Sequence, residues 1–274
     1  MMLFKLSPLV MLKFLSVGLA FITNVVLIKS IGTSDSGIYY TSLSYLSLAV
    51  PLGCMGFNNF ILKKTSSGTN VQEVNFSIFL SLFNGFILIF FVSWILSYVY
   101  PDYFDYKLSY IVALNVPFLI FAENMSRYQQ GLGYHKLSLL TVGIIQQVLM
   151  FLYFIFSLLL GFKVELSNVM CAYTVSNFTS LLINLKFYFD RNDIKGLEFS
   201  RIKVSEFQES IYFMTISLLS VFSIAAPNLV ISQFSSTEEI TYYSISYKIA
   251  TLITIIYVVL NRIISPNIVR NIDN

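Results

Sequence analysis

Apolar residues run along this chain in long, nearly unbroken stretches separated by short polar segments. Neither strict alternation nor a single 3.6-residue stripe describes them; most are apolar on every face. A helix needs roughly 20 mainly apolar residues to cross the hydrocarbon core of a bilayer. Eight stretches meet that length, at 9–31, 38–62, 74–99, 108–127, 137–161, 167–189, 211–233 and 240–264. Turn formers mark the gaps, with Ser66-Ser67-Gly68 after the second, Pro101 after the third, and Asn192-Asp193 with Gly196 after the sixth. Ser7-Pro8 makes a cap-then-Pro start for the first. The pattern predicts an all-α polytopic membrane protein of about eight transmembrane helices.

The longest gap, 190–210, is highly charged but carries Ile194, Leu197, Phe199, Ile202, Val204 and Phe207 at intervals. It predicts an amphipathic segment lying on a membrane face. Loop charge then orients the chain. Twelve Lys/Arg fall on one side: Lys5, Lys63, Lys64, Arg127, Lys136, Lys186, Arg191, Lys195, Arg201, Lys203, Arg262 and Arg270. The opposite loops hold Lys29, Lys107 and Lys163, and Lys13 and Lys248 fall inside spans, which accounts for all 17. The asymmetry predicts cytoplasmic termini and an even number of spans.

Composition agrees with lipid as the solvent: 56% of residues are hydrophobic, 11% are charged, and the mean hydropathy is +0.74. A net charge of +3 without a basic cluster interleaved with aromatics gives no sign of a nucleic-acid partner. Cys54 and Cys171 both sit in apolar runs, which predicts two small buried side chains rather than a disulfide framework. The first apolar run has no small-residue cleavage site, so it reads as its own insertion signal.

The segment 30–45, SIGTSDSGIYYTSLSY, has a relative 202 positions later at 232–247, SQFSSTEEITYYSISY. Ser34/Ser236, Ile38/Ile240, Tyr40/Tyr242, Ser42/Ser244, Ser44/Ser246 and Tyr45/Tyr247 are identical at that offset. Both copies join two apolar runs, so they read as an internal repeat.

These residues also carry a family resemblance. The run from Ile28 to Tyr39 resembles the first helix junction of polysaccharide and O-antigen flippases, within the multidrug/oligosaccharidyl-lipid/polysaccharide exporter superfamily. PLGCMGFNNFILKK from Pro51 resembles the end of the second helix and its basic loop. QQGLGYHK from Gln129 resembles the loop after the fourth, and Lys248 to Pro266 the eighth helix. The resemblance covers about Lys5 to the C-terminus and rests on order and spacing. It implies two six-helix lobes around a central cavity that passes an undecaprenyl-pyrophosphate-linked oligosaccharide across the bacterial inner membrane, without a cofactor. It also implies a polysaccharide polymerase and a chain-length regulator as partners. On that pattern 1–190 is an N-terminal six-helix lobe, 191–210 a cytoplasmic linker, and 211–274 the first two helices of an incomplete second lobe.

No soluble-enzyme constellation is present. His135 is the single histidine, no phosphate-binding loop of the Walker type occurs, and Gln130-Gly131-Leu132-Gly133 lacks the strand context of a nucleotide fingerprint. Charges inside spans are the informative residues, because each is costly in hydrocarbon unless it meets water or a partner. Lys248 lies about 12 Å into its predicted helix at 1.5 Å per residue. It either faces a cavity and attracts a pyrophosphate or acidic sugar, or bonds a helix carbonyl or reaches the outer surface. Lys13 reads as an interface anchor, and as a second candidate cavity cation. Lys29, near the outer mouth, either guides an anionic sugar or anchors the helix. Glu123 and Arg127 stand four apart, acid first, either as a local ion pair or as a gate or proton-coupling pair.

Asn24, Asn84, Asn115, Gln146, Gln147, Asn177, Asn184 and Asn228 either line a sugar-compatible cavity or join helices. Pro51, Pro117 and Pro227 fall inside spans as hinges or tolerated kinks. Tyr39, Tyr40, Tyr242 and Tyr243 suit the outer interface. Three functions follow: the flippase, an ion-coupled small-molecule exporter, or a non-transporting remnant or assembly partner, the last because four helices of the family pattern are missing.

Overall fold

A computed structural model describes residues 2–68, 71–191, 202–251 and 261. The described chain forms α1 (Met2–Cys54), α2 (Phe57–Ser66), α3 (Val71–Val99), α4 (Tyr106–Ala113), α5 (Asn115–Gly131) and α6 (His135–Leu139). A π-helical turn (Leu140–Ile144), α7 (Ile145–Leu160), α8 (Leu166–Arg191), α9 (Val204–Phe234) and α10 (Thr237–Ala250) follow. No strand occurs among the described residues. The architecture is all-α and suits a polytopic membrane protein.

Among the described residues, five helical stretches are both long and apolar enough to cross a membrane: Met11–Cys54, Gln72–Val99, Tyr106–Gly131, His135–Leu160 and Val204–Phe234. The first has 44 residues and is broken at Gly32, whose φ of 86° and ψ of 171° interrupt the helix. It therefore folds back as a hairpin, the two-helix arrangement expected for 9–31 and 38–62. α8 has 26 residues, enough to cross, but is less apolar because Ser176, Asn177, Ser180 and Asn184 occupy its buried face. The eighth expected span is described only to Thr251 and at Asn261, and the rest of 240–264 lies outside the described residues.

Local sequence explains where the helices start and break. Asp105 caps α4 by accepting from the Leu108 N–H at 2.7 Å. The expected helix at 108–127 is interrupted at Leu114 because Pro117 has no N–H for the carbonyl of Ala113. The Asn115 amide covers the neighbouring carbonyls, donating to Ile111 at 3.0 Å and Val112 at 3.2 Å. α9 begins at Val204, seven residues before the expected Ile211. There the Glu206 carboxylate accepts from the Lys203 N–H at 3.2 Å, a helix-start contact. Residues 204–210 thus belong to α9 rather than to a separate surface segment, while 192–201 lie outside the described residues.

Without water to drive apolar surfaces together, helices in lipid associate by close packing and interhelical hydrogen bonds. Serine and threonine hydroxyls here mostly bond back to the carbonyl four residues earlier, as at Thr41, Ser42, Ser77 and Ser157. The aromatic residues divide by face. Phe79, Phe83, Phe86, Phe90, Trp94 and Tyr98 form an exposed stripe along α3. Tyr39 and Tyr40 instead are buried, at 6% and 2% exposure, in edge-on contact with each other. The sequence expectation of an outer-interface position fails for both, because the fold-back at Gly32 turns this face inward. Tyr242 is exposed. Cys54 is buried, and Cys171, expected buried, is exposed; both are free thiols.

Candidate functional site

The site grows from the two hairpins. Eight residues on either side of Gly32, Tyr40 donates its hydroxyl to Asn24 Oδ1 at 2.9 Å. Across the break between α9 and α10, Ser244 donates to Asn228 Oδ1 at 3.1 Å. Each hairpin is thus tied by an asparagine to a hydroxyl sixteen residues later.

The hairpins then cross-connect. Lys248 Nζ donates to Asn24 Oδ1 at 2.7 Å, and Asn228 Nδ2 donates to Ser44 Oγ at 3.1 Å. Near the breaks, Thr241 Oγ1 donates to the Thr33 carbonyl at 2.7 Å. Reciprocally, a Cβ on Gly37 would lie 1.9 Å from the Thr237 carbonyl oxygen, so only glycine allows that approach. Each contact maps onto its partner when 24 is paired with 228, 44 with 248, 33 with 237, and 37 with 241, a constant shift of 204. The same shift pairs Gly32 with Ser236, the residue capping α10. The hairpins are therefore related by approximate two-fold packing, but not at the offset of 202 where the sequences match best. Segments this rich in Ser, Tyr and Ile match at several shifts, whereas contacts follow the helix breaks.

Lys248 is the focus of this arrangement. Its ammonium stands 4.3 Å from the centre of the Tyr40 ring and bonds Asn24, so it is held by two neutral groups. Among the described residues no carboxylate forms an ion pair with it. Lys248 thus sets its amine against neutral groups at a cavity wall. It lines a cavity of about 130 Å³ with Tyr40, Ser44, Ser47, Asn228, Ser244 and Tyr247 among its walls.

A larger cavity of about 590 Å³ adjoins it, and Leu43 and Ser47 belong to both walls. Its lining includes Asn58, Glu123, Arg127, Thr141, Tyr173, Asn177, Ser180, Ser217 and Ser220, from α1, α2, α5, the π-turn, α8 and α9. Polar side chains thus follow one another from Lys248 to the Glu123–Arg127 pair. That pair is closed by Arg127 Nε to Glu123 Oε1 at 3.0 Å, with both side chains partly exposed. Neither wall includes Lys13 or Lys29; Lys13 is partly buried on the first half of α1 and Lys29 is exposed.

A buried polar network backs the larger cavity. Gln129 donates to Asn184 at 2.8 Å, and Thr141 Oγ1 donates to Gln129 at 3.3 Å. Ser180 bonds the Thr141 carbonyl, and Ser126, Ser138 and Gln130 bond one another. Asn115 joins Thr174 and Asn177, each at 2.9 Å, fixing α8 against the break before α5. The π-turn puts Thr141 and Val142 on the wall, as such turns do when they re-aim residues inside a helix.

Sequence reasoning singled out Lys248, Glu123, Arg127, Asn24, Asn177 and Asn228, and the structure brings all of them to this tract or to its direct contacts. It missed Tyr40, Ser44, Ser47, Thr141 and Ser180. The usable signal lay in α1, where Tyr40, Ser44, Ser47 and Pro51 recur at steps of four, three and four, which is one helix face.

The family model described as polysaccharide biosynthesis protein matches residues 5–271. No curated protein and no solved structure matches the chain. A match over nearly the whole length, on an all-α bundle with long apolar helices, shows that the chain belongs to this family of polysaccharide and O-antigen flippases.

Proposed function

We propose that the protein translocates a lipid-linked oligosaccharide, an undecaprenyl-pyrophosphate-linked O-antigen or capsule unit, from the cytoplasmic to the outer leaflet of the bacterial inner membrane. One observation carries the reading: an amine with no carboxylate partner among the described residues, set into a polar tract inside an apolar bundle. A pyrophosphate cannot cross about 30 Å of hydrocarbon unaided. Lys248 offsets its charge, while Asn58, Asn177, Ser180, Ser217 and Ser220 offer hydrogen bonds to sugar hydroxyls, and the polyprenyl tail stays in lipid. Lys13 and Lys29 lie outside the two cavities and act as helix anchors. No enzymatic step is part of this activity.

The bias of basic loops supports cytoplasmic termini, which puts Gly32 at the outer face and Lys63–Lys64 at the inner one. The reciprocal hairpin contacts support two related units, a first over 1–190 and a second whose first helix starts at Val204 rather than at 211. Rocking of one unit against the other would expose the tract to each side in turn. An ion-coupled exporter of cationic drugs calls for a free carboxylate in the cavity, and Glu123 is instead engaged by Arg127.

The test is reconstitution into liposomes with a fluorescent polyprenyl-pyrophosphate glycan, scored by its accessibility to an impermeant quencher. Protein-dependent translocation of the glycan, without uptake of a cationic dye, is expected. Dye uptake alone would support the exporter, and no transport by a stably inserted chain would support an assembly partner.

A further inference from the structure

The two cavities differ in charge and in the make-up of their walls. Among the described residues that line them, the charged groups are Lys248 in the smaller cavity and Glu123 with Arg127 in the larger one. Glu123 and Arg127 stand four apart on α5 and are joined at 3.0 Å, with side chains 24% and 28% exposed. The pair cancels in charge, so the larger wall offers a sugar no net cation. It does present a carboxylate, and a second carboxylate brought beside it is repelled. The rest of this wall mixes hydroxyl and amide groups with aliphatic side chains. On α9, Ile216 and Ser217 are followed one turn later by Ser220 and Val221, so each turn presents one hydroxyl and one aliphatic group. Leu119 of α5 and Val142 of the π-turn share the wall with Asn177 and Ser180 of α8. Tyr173 is the one aromatic ring among the described residues of this lining. A wall of branched aliphatic groups has little flat surface on which to stack a sugar ring, and gains instead from burying small apolar substituents.

We propose that the larger cavity takes an uncharged glycan whose sugars carry acetyl or methyl groups, and that Glu123, held by Arg127, is the specificity-determining residue that turns acidic sugars away. The acetyl or methyl groups meet the aliphatic positions, while ring hydroxyls and amides bond the serines and Asn177. A uronate would leave water for a wall whose guanidinium is already engaged, and would face the Glu123 carboxylate. The negative charge of the cargo is thereby confined to the pyrophosphate at Lys248. The inference rests on the transport reading for the identity of the occupant. Its test reads a ratio between glycans, which that reading leaves open.

The probes are short-chain polyprenyl-pyrophosphate trisaccharides that differ only in the second sugar: N-acetylglucosamine, glucose or glucuronic acid. Each is titrated against the protein in nanodiscs, with the sugar-free polyprenyl pyrophosphate as reference. The N-acetylglucosamine lipid should bind about fourfold more tightly than the glucose lipid, the scale of one buried methyl group. The glucuronic acid lipid should bind at least about tenfold more weakly than the glucose lipid, the scale of a charge set against a like charge. Glu123→Gln releases the Arg127 guanidinium and should shrink the glucose-to-glucuronate ratio several-fold, by raising affinity for the acidic glycan. Equal or tighter glucuronate binding by the native chain, equal binding of N-acetylglucosamine and glucose, or a ratio untouched by Glu123→Gln would overturn the proposal. If Glu123→Gln fails to insert, the ratios on the native chain decide it. Sugar-free lipid binding as tightly as all three glycans would overturn this inference and leave the transport reading standing. Failure of all four lipids to bind would overturn the transport reading and this inference with it.

Discussion

Replacing Lys248 with methionine keeps most of the side-chain volume and removes the charge. The cost to folding should be small. Asn24 Oδ1 still accepts from Tyr40 at 2.9 Å, so no acceptor is orphaned. The lost cation–π contact, about 0.5–2 kcal/mol, is offset by no longer holding an ammonium away from water, which itself costs several kcal/mol. The cost to transport should be large. An ammonium and a phosphate charge about 4 Å apart attract by about 4 kcal/mol at an effective dielectric constant of about 20. At about 1.4 kcal/mol per tenfold, the ceiling is roughly a thousandfold in rate, and water entering the cavity lowers it. We therefore expect Lys248→Met to slow glycan translocation in liposomes by between about tenfold and a thousandfold, at unchanged protein level and unchanged melting temperature. Lys248→Arg should retain most of the rate. Full activity of the methionine variant at equal protein amounts would refute the assigned role.

Further outcomes follow from the same contacts. Asn24→Asp places a carboxylate beside Lys248 and should lower transport while leaving the melting temperature equal or higher, which separates charge from packing. Asn24→Leu orphans the Tyr40 hydroxyl and the Lys248 ammonium and should destabilise the fold by about 2–4 kcal/mol in a detergent melt. Glu123→Gln breaks an i,i+4 pair and should cost no more than about 1 kcal/mol, with dependence on an imposed pH gradient unchanged; a lost gradient response would instead assign Glu123 to coupling. For Lys64, burial pulls its pKa down, but hydrogen bonds to Glu206 and Glu73 outweigh burial and hold it above the ordinary lysine value. Its contribution to stability is therefore complete at neutral pH and is lost only as pH rises through that raised value, so melting temperatures across the alkaline range should fall more for the native chain than for Lys64→Met.

The sequence made the bundle legible because lipid-exposed helices announce themselves by length and apolarity. The uninterrupted run that became α3 needed no tertiary information. The break before α5 was marked by Pro117, but its position at Leu114 depends on which carbonyl the proline leaves unpaired. The start of α9 was misplaced because Glu206 reads as a loop charge until Lys203 is seen to use it as a cap. Lys248 stood out as a lone charge in an apolar run. Its holders, Asn24 and Tyr40, lie more than 200 residues away in the chain, and no local pattern links them. The repeat was visible, yet its register slipped by two, because side-chain identity in a Ser- and Tyr-rich helix is a weaker guide than the position of the helix break. Tyr39 and Tyr40 were misjudged for a related reason: an aromatic pair at a helix end looks interfacial until its cover is known, here Tyr173 of α8 for Tyr39 and Lys248 of α10 for Tyr40.

The most direct measurement is a cryo-electron microscopy map of the protein in lipid nanodiscs with a polyprenyl-pyrophosphate glycan bound. The account predicts phosphate density within hydrogen-bonding reach of the Lys248 ammonium, with the sugar extending toward Asn177 and Ser180. Phosphate density elsewhere, with Lys248 turned toward acyl chains, would contradict it.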